Sequence, residues 1–313
     1  MIKLLGLILV GGLIVFLVFN SNRFTKNESE NLSELITPLG DVKPPVNPSS
    51  DENDQSIDSL LEVAVKNALI GTKGTYGIVI KNLKTGETYY ANEHRVFEAG
   101  SLYKLWIMAT AFNKIQTGAW KEDQVLTEDV STLNDKFYIN PDVAEQTEGT
   151  ITLTVHDALE QMITISHNYA ALLLTEKLKL SIVKAFLEEN GLKQSTVGTD
   201  GSNPTATPND IALFFEKLYK GELVNKENRD EILDLLKRQQ LNDKLPKYLP
   251  QDTVVAHKTG EIGWFSHDAG IVYSPNGDYI IVVLSESQSP PGAEDRIAQV
   301  SKAVYEYFES KNE

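Results

Sequence analysis

The segment that most constrains this chain is residues 98–112, Glu-Ala-Gly-Ser-Leu-Tyr-Lys-Leu-Trp-Ile-Met-Ala-Thr-Ala-Phe. Its apolar residues, Leu102, Leu105, Trp106, Ile107, Met108, Ala109, Ala111 and Phe112, fall on nearly every side of a helix. A helix apolar all round has to be buried, so the fold must wrap other elements around this one. Within it stands Lys104, three residues after Ser101. Residues i and i+3 share a helix face, which makes the two side chains neighbours. A lysine in apolar surroundings loses basicity. So placed, it takes the proton of a serine hydroxyl and turns a weak nucleophile into a useful one. The helix N-terminus adds backbone N–H groups and the positive end of the dipole near that oxygen. The same residues also read as an N-cap serine and a lysine that snorkels to the surface.

Helical periodicity recurs from residue 57 to 69, from 154 to 162 with Thr154 as the cap, from 169 to 180, from 181 to 190 before Gly191, from 209 to 219, from 226 to 239 and from 293 to 308. Strand patterns lie outside this helical middle. Residues 76–82 and 87–90 form a hairpin across a Lys84-Thr-Gly86 turn, and 253–258, 269–274 and 279–285 are three more, the last two joined by Pro275-Asn-Gly-Asp278. Residues 126–150 read as a polar irregular region and 193–208 as a polar loop. The expected fold class is α+β, an α/β/α sandwich. It has an antiparallel sheet of about five strands built from both ends of the domain, helices on its faces and an inserted all-helical lobe.

Residues 4–19 are an unbroken apolar run preceded by Lys3 and followed by Arg23 and Lys26. This has the layout of a secretory signal, slightly short of the about 20 residues a comfortable span needs. No small-residue cleavage pattern follows it, so residues 1–24 are expected to be an uncleaved N-terminal transmembrane signal-anchor, with a cleaved signal peptide as the close alternative. Residues 25–56, rich in Asn, Ser, Glu, Asp and Pro, are too polar to fold and read as a flexible linker. The folded domain is expected over residues 57–313. It would lie outside the cytoplasm, tethered to the cell membrane through the N-terminal helix, or be secreted if the segment is cleaved. The net charge of −15 argues against nucleic acid as a partner. The absence of Cys excludes disulfides, thiol catalysis and zinc–thiolate sites. No histidine spacing of a metal hydrolase is present, and no cofactor or metal is expected.

Three short motifs follow in order: Ser101-Leu-Tyr-Lys104 is S-x-x-K, Ser166-His-Asn168 is S-x-N, and Lys258-Thr-Gly260 is K-T-G. Each alone is weak. Taken singly, Ser166 and Asn168 also read as a helix cap and Asx turn, and Lys258 as an exposed strand lysine. Together and in this order they resemble the class A β-lactamases and penicillin-binding proteins, class A most closely. The resemblance runs from about residue 60 to the C-terminus. It implies a serine hydrolase that opens a β-lactam ring through an acyl-enzyme on Ser101, with Lys104 as the nearest base. Ser166 would relay a proton to the leaving nitrogen, and Lys258 would supply positive charge to Ser166 and to the substrate carboxylate. For substrate binding the resemblance implies Asn168 on an amide, Thr259 on the carboxylate, Gly260 leaving room beside the strand, and the backbone N–H of Glu261 with that of Ser101 as oxyanion donors. The alternatives are a D-Ala-D-Ala peptidase or transpeptidase acting on peptidoglycan stem peptides, and a penicillin-binding sensor acylated without turnover. A monomer is expected.

The chain departs from the class A pattern twice. His167 stands where aspartate is usual. More consequentially, no E-x-x-L-N lies between the second and third motifs, where the family keeps the glutamate that activates water for deacylation. Asp200 and Asn203 are the only polar residues of that interval placed to approach the site, and deacylation is expected to be slow. Among the five histidines, His267-Asp268 is expected at a strand start, shaping the sheet edge. Trp264 and Phe265 read either as cleft wall or as ordinary packing.

Overall fold

The computed structural model describes residues 59–311. The expected anchor and linker lie outside the described residues. Among those described, no helix is long and apolar enough to cross a membrane.

The chain opens with α1 (Leu60–Ala68), capped by the Ser59 hydroxyl, which accepts from Glu62 N at 3.2 Å. The hairpin of β1 (Thr75–Asn82) and β2 (Thr88–Ala91) follows, then the two-residue β3 (Phe97–Glu98). A 3-10 turn, Gly100–Tyr103, leads into α2 (Lys104–Gln116). Next come β4 (Val125–Asp129), α3 (Val130–Lys136), β5 (Thr150–Thr154), α4 (Val155–Thr164), α5 (Asn168–Leu178), α6 (Leu180–Glu189) and β6 (Thr205–Ala206). Helices α7 (Pro208–Lys220) and α8 (Lys226–Lys237) precede β7 (Val254–Ile262), β8 (Phe265–Tyr273) and β9 (Tyr279–Glu286), and α9 (Pro290–Ser310) closes the domain.

The result is an α+β fold on one five-stranded antiparallel sheet, in the order β2-β1-β9-β8-β7. Both ends of the domain build it, because β1 pairs with β9 from Thr75 opposite Glu286 to Asn82 opposite Tyr279. Successive strand side chains point to opposite faces, and β9 shows this directly. Tyr279, Ile281 and Val283 pack with Leu61, Val65, Ile297, Val300, Val304 and Phe308 of α1 and α9. Ile280, Val282 and Leu284 face the larger core around α2. There Leu102, Leu105, Trp106, Met108 and Ala109 are wholly buried, with α4, α5, α6 and α8 packed around α2. Each large apolar side chain so removed from water contributes about 2 kcal/mol, so α2 is the axis the fold closes on.

Three expectations change. Residues 126–150 are not irregular: β4 and β5 pair antiparallel, Leu126 opposite Leu153, with α3 between them, so the lobe is helical apart from a two-stranded sheet. The K-T-G strand does not end at Lys258 but runs to Ile262, turns through Gly263 and Trp264, and returns as β8 from Phe265 rather than from residue 269. His267 and Asp268 are therefore inside a strand and wholly buried, not at a strand start.

Candidate active site

Three elements bring the three motifs together. Ser101 lies in the 3-10 turn that opens α2, half-buried, with Lys104 one turn further in and fully buried. Ser166 and Asn168 enter at the α4–α5 junction. Ser166 has φ +58°, a left-handed conformation uncommon for a residue with a side chain, and it turns the chain so that its oxygens face Lys104. Lys258, Thr259, Gly260 and Glu261 lie on β7, an edge of the sheet.

The Lys104 Nζ donates to Ser166 O at 2.6 Å, to Asn168 Oδ1 at 2.7 Å and to Ser166 Oγ at 3.2 Å. None of the three bonds goes to Ser101, the partner expected from their spacing. The turn at Ser101 is 3-10 rather than α, and the lysine reaches across to α5 instead. The Lys258 Nζ donates to the same Ser166 Oγ at 2.9 Å and to Thr259 O at 2.9 Å. Two amines with no exposed surface thus meet on one hydroxyl.

Burial strips water from both amines, and each feels other positive charge, so both lose basicity. Lys104 is held well below its ordinary value of 10.5, first by burial and then by Lys258, with Glu145 opposing. Lys258 is lowered to about 7 by burial, with Asp268 and Glu261 opposing and Lys244 adding to the fall. The two shortest bonds of Lys104 end on carbonyl oxygens, which only accept. If Lys104 gives up a proton, its two remaining hydrogens can stay on these oxygens while its lone pair faces Ser166 Oγ.

Glycine decides how closely β7 approaches the serine turn. A Cβ on Gly100, whose φ is +49°, would lie 2.6 Å from Glu261 N. A Cβ on Gly260 would lie 2.8 Å from Ala99 O and 3.2 Å from Leu102 N. The strand backbone at Gly260 and Glu261 is therefore packed onto the backbone of Ala99, Gly100 and Leu102, on either side of Ser101. Gly260 serves this contact as much as any substrate.

His167 caps α5. Its Nδ1 accepts from Ala170 N at 3.1 Å, which requires an unprotonated nitrogen. Burial and, more weakly, Lys104 hold its pKa below 6.5, with Glu145 opposing. The imidazole thus caps the helix as an acceptor, the role that a short acidic side chain fills at such positions. His267 accepts from Ser285 N at 3.1 Å through Nδ1, so its Nε2–H donates to Glu98 O at 2.8 Å. Burial lowers it to about 4. It is a neutral tie between β8 and the segment just before the nucleophile turn. His257 pairs with Asp268 at 2.9 Å, both buried behind Lys258, and the buried Lys244 pairs with Glu261.

The interval after α6 brings no carboxylate to the hydroxyls. Asp200 bonds Ser202 at 2.6 Å and is exposed, and Asn203 donates to Glu98 at 3.1 Å. The carboxylate that does reach the site is Glu145, on the loop between α3 and β5, whose Oε1 accepts from Asn168 Nδ2 at 2.5 Å. Sequence reasoning missed it, since nothing in residues 137–149 marks it locally. Trp264 is 58% exposed in the β7–β8 turn, and Phe265 is half-buried against the main core. No cluster of side chains able to hold a metal ion is present among the described residues.

A buried Ser–Lys pair of motifs on a helical lobe, closed by a lysine on the edge of an antiparallel sheet, defines a β-lactamase-like serine hydrolase. The chain belongs to the β-lactamase enzyme family, whose profile (Beta-lactamase2) matches residues 60–308. It is 24% identical over 274 residues to the β-lactamase VEB-1 of Pseudomonas aeruginosa, covering 80% of this chain and 91% of that one. Its structure superposes on that of PBP-A with a TM-score of 0.70 and 28% identity, over 81% of this chain and 97% of PBP-A. It superposes on a β-lactamase of Sphaerobacter thermophilus with a TM-score of 0.70 and 23% identity, over 80% and 97% of the two chains.

Proposed function

We propose that the protein reacts with β-lactams through an acyl-enzyme on Ser101 and releases the product slowly. The observation that carries this reading is the meeting of Lys104 and Lys258 on Ser166 Oγ, at 3.2 and 2.9 Å, beside the turn that bears Ser101. A neutral Lys104 takes the Ser101 proton as Oγ attacks the ring carbonyl. The oxyanion forms against the N–H groups of Ser101 and Glu261. The C–N bond then breaks, and the ring nitrogen takes a proton from Ser166, which is resupplied from Lys104. Lys258 and Thr259 hold the substrate carboxylate, and Asn168 the acyl-side amide. Water then cleaves the ester, with no carboxylate from residues 191–207 to activate it. Consistent with this course, a variant of PBP-A is known as an acyl-enzyme complex with penicillin G.

The same absence favours a second reading, a D-Ala-D-Ala peptidase or transpeptidase, with a penicillin-binding sensor as its limit of no turnover. In either case the charged start and apolar run of residues 1–24 support a domain held outside the cell membrane. A chromogenic β-lactam, followed for turnover and intact mass together, separates these readings. Turnover over many equivalents supports hydrolysis. A lasting adduct with cleavage of a D-Ala-D-Ala peptide supports the second reading, and an adduct alone supports the sensor. An adduct on Ser101→Ala removes Ser101 from its role.

A further inference from the structure

Glu145 lies outside all three motifs and has no part in the steps above. Its loop is pinned to the helix that carries Asn168: the carbonyl of the next residue, Gln146, bonds the Tyr169 hydroxyl at 2.6 Å and Asn134 Nδ2 at 2.8 Å. The two ends of the Asn168 amide then face different groups. Its Oδ1 accepts from Lys104, while its Nδ2, the donor assigned to the substrate amide, is occupied by the Glu145 carboxylate. Glu145 is exposed, so a bound molecule can reach it. Its charge is felt across the cleft. After burial it is the next cause that raises the Tyr103 phenol, and it opposes the loss of basicity at Lys104 and His167.

We infer that Glu145 is a specificity residue, whose carboxylate selects substrates carrying an ammonium on the acyl side of the scissile bond, beside the amide held by Asn168. This rests on the acyl-transfer reading above and names the substrate class for that site. When a substrate amide takes Asn168 Nδ2, the Glu145 carboxylate loses its partner. An ammonium two or three bonds from that amide supplies a charge-assisted replacement. A neutral side chain supplies none, and a carboxylate there adds repulsion, which discriminates against the wrong partner. Glu145 is solvent-exposed, and screening keeps the effect modest.

The test uses three penicillins with one nucleus and α-aminobenzyl, benzyl or α-carboxybenzyl side chains, each competed against a fluorescent β-lactam on the full-length protein. The wild-type acylation rates are expected to rank ammonium, neutral, carboxylate, with the spread compressed at high salt. In Glu145→Gln the ammonium-to-carboxylate ratio is expected to fall about two- to fivefold, the range of one solvent-screened ion pair. Glu145→Asp is expected to keep the wild-type order. A wild-type protein without this order, or a Glu145→Gln protein that is acylated with an unchanged ratio, overturns the inference. Absence of acylation by all three in the wild type overturns the functional reading, and the inference with it.

Discussion

The floor and the rim of the cleft are built on opposite terms. The floor is Lys104, Lys258, Ser166 and the backbone of Gly100 and Gly260, where every polar contact is enclosed and a single Cβ would force residues apart. The rim is the loops of residues 137–149 and 193–204, where Glu145, Asp200 and Ser202 are exposed. Enclosure lowers the basicity of the two amines of the floor, which on the proposed reading is what forming the ester needs. Exposure leaves the rim without a desolvated carboxylate, and that is what breaking the ester quickly would need. On the proposed reading the floor sets whether Ser101 is acylated, and the rim sets with what and for how long.

The comparison can be tested from both sides. The largest effect is expected from Ser101→Ala, which should lower acylation on the order of 10⁴-fold or more, read as loss of the mass adduct. Lys104→Met removes the nearest base while keeping the volume and should cost about 10²- to 10⁴-fold in acylation rate. Gly100→Ala strikes the packing rather than the chemistry. It should lower stability by about 1–3 kcal/mol and slow acylation more than hydrolysis of any ester already formed, as measured by thermal unfolding and single-turnover kinetics.

At the boundary of the two regions, the His167 cap should be worth about 1 kcal/mol at pH 8. Because the folded pKa is lowered, this contribution is present above 6.5 and lost as pH falls through the folded value. The stability gap between wild type and His167→Ala should therefore close in acid. On the rim, Asp200→Ala should change ester release by less than about twofold, as for surface changes that break no special contact. A tenfold slowing would place a water-activating carboxylate on the rim and undo the contrast.

The floor was legible in the sequence because its signals are local. A serine and lysine three apart at the start of a helix apolar all round mark the nucleophile turn once the two later motifs stand beside them, and the capped helices and the β1–β2 hairpin announce themselves within a few residues. The rest depends on closure. Ser266, His267 and Asp268 are polar, so periodicity ends β8 early; His267 lies buried in it bonded to Ser285 N and Glu98 O, and Asp268 bonded to Leu245 N and His257, while the buried Ser266 hydroxyl has no partner. β4 carries only Leu126 as an inward residue, too weak a pattern to mark a strand. Glu145 reaches Asn168 only because Asn134 and Tyr169 fold its loop back onto α5. The hydrogen bonds of Lys104 were illegible for a related reason: only closure brings Ser166 and Asn168, at the α4–α5 junction, to the amine.

The pairing of β1 with β9 has a consequence for the birth of the protein. Lys258 stands on a strand whose sheet neighbour is β8, which is held in turn by β9, and β9 needs β1 on its other side. A nascent chain that has emerged only through residue 260 already contains every reactive group, yet has no sheet on which to mount the last of them. Reactivity toward an acylating drug should therefore switch on abruptly, when the final strand leaves the ribosome or the translocation pore, and a chain stalled before that point should be inert.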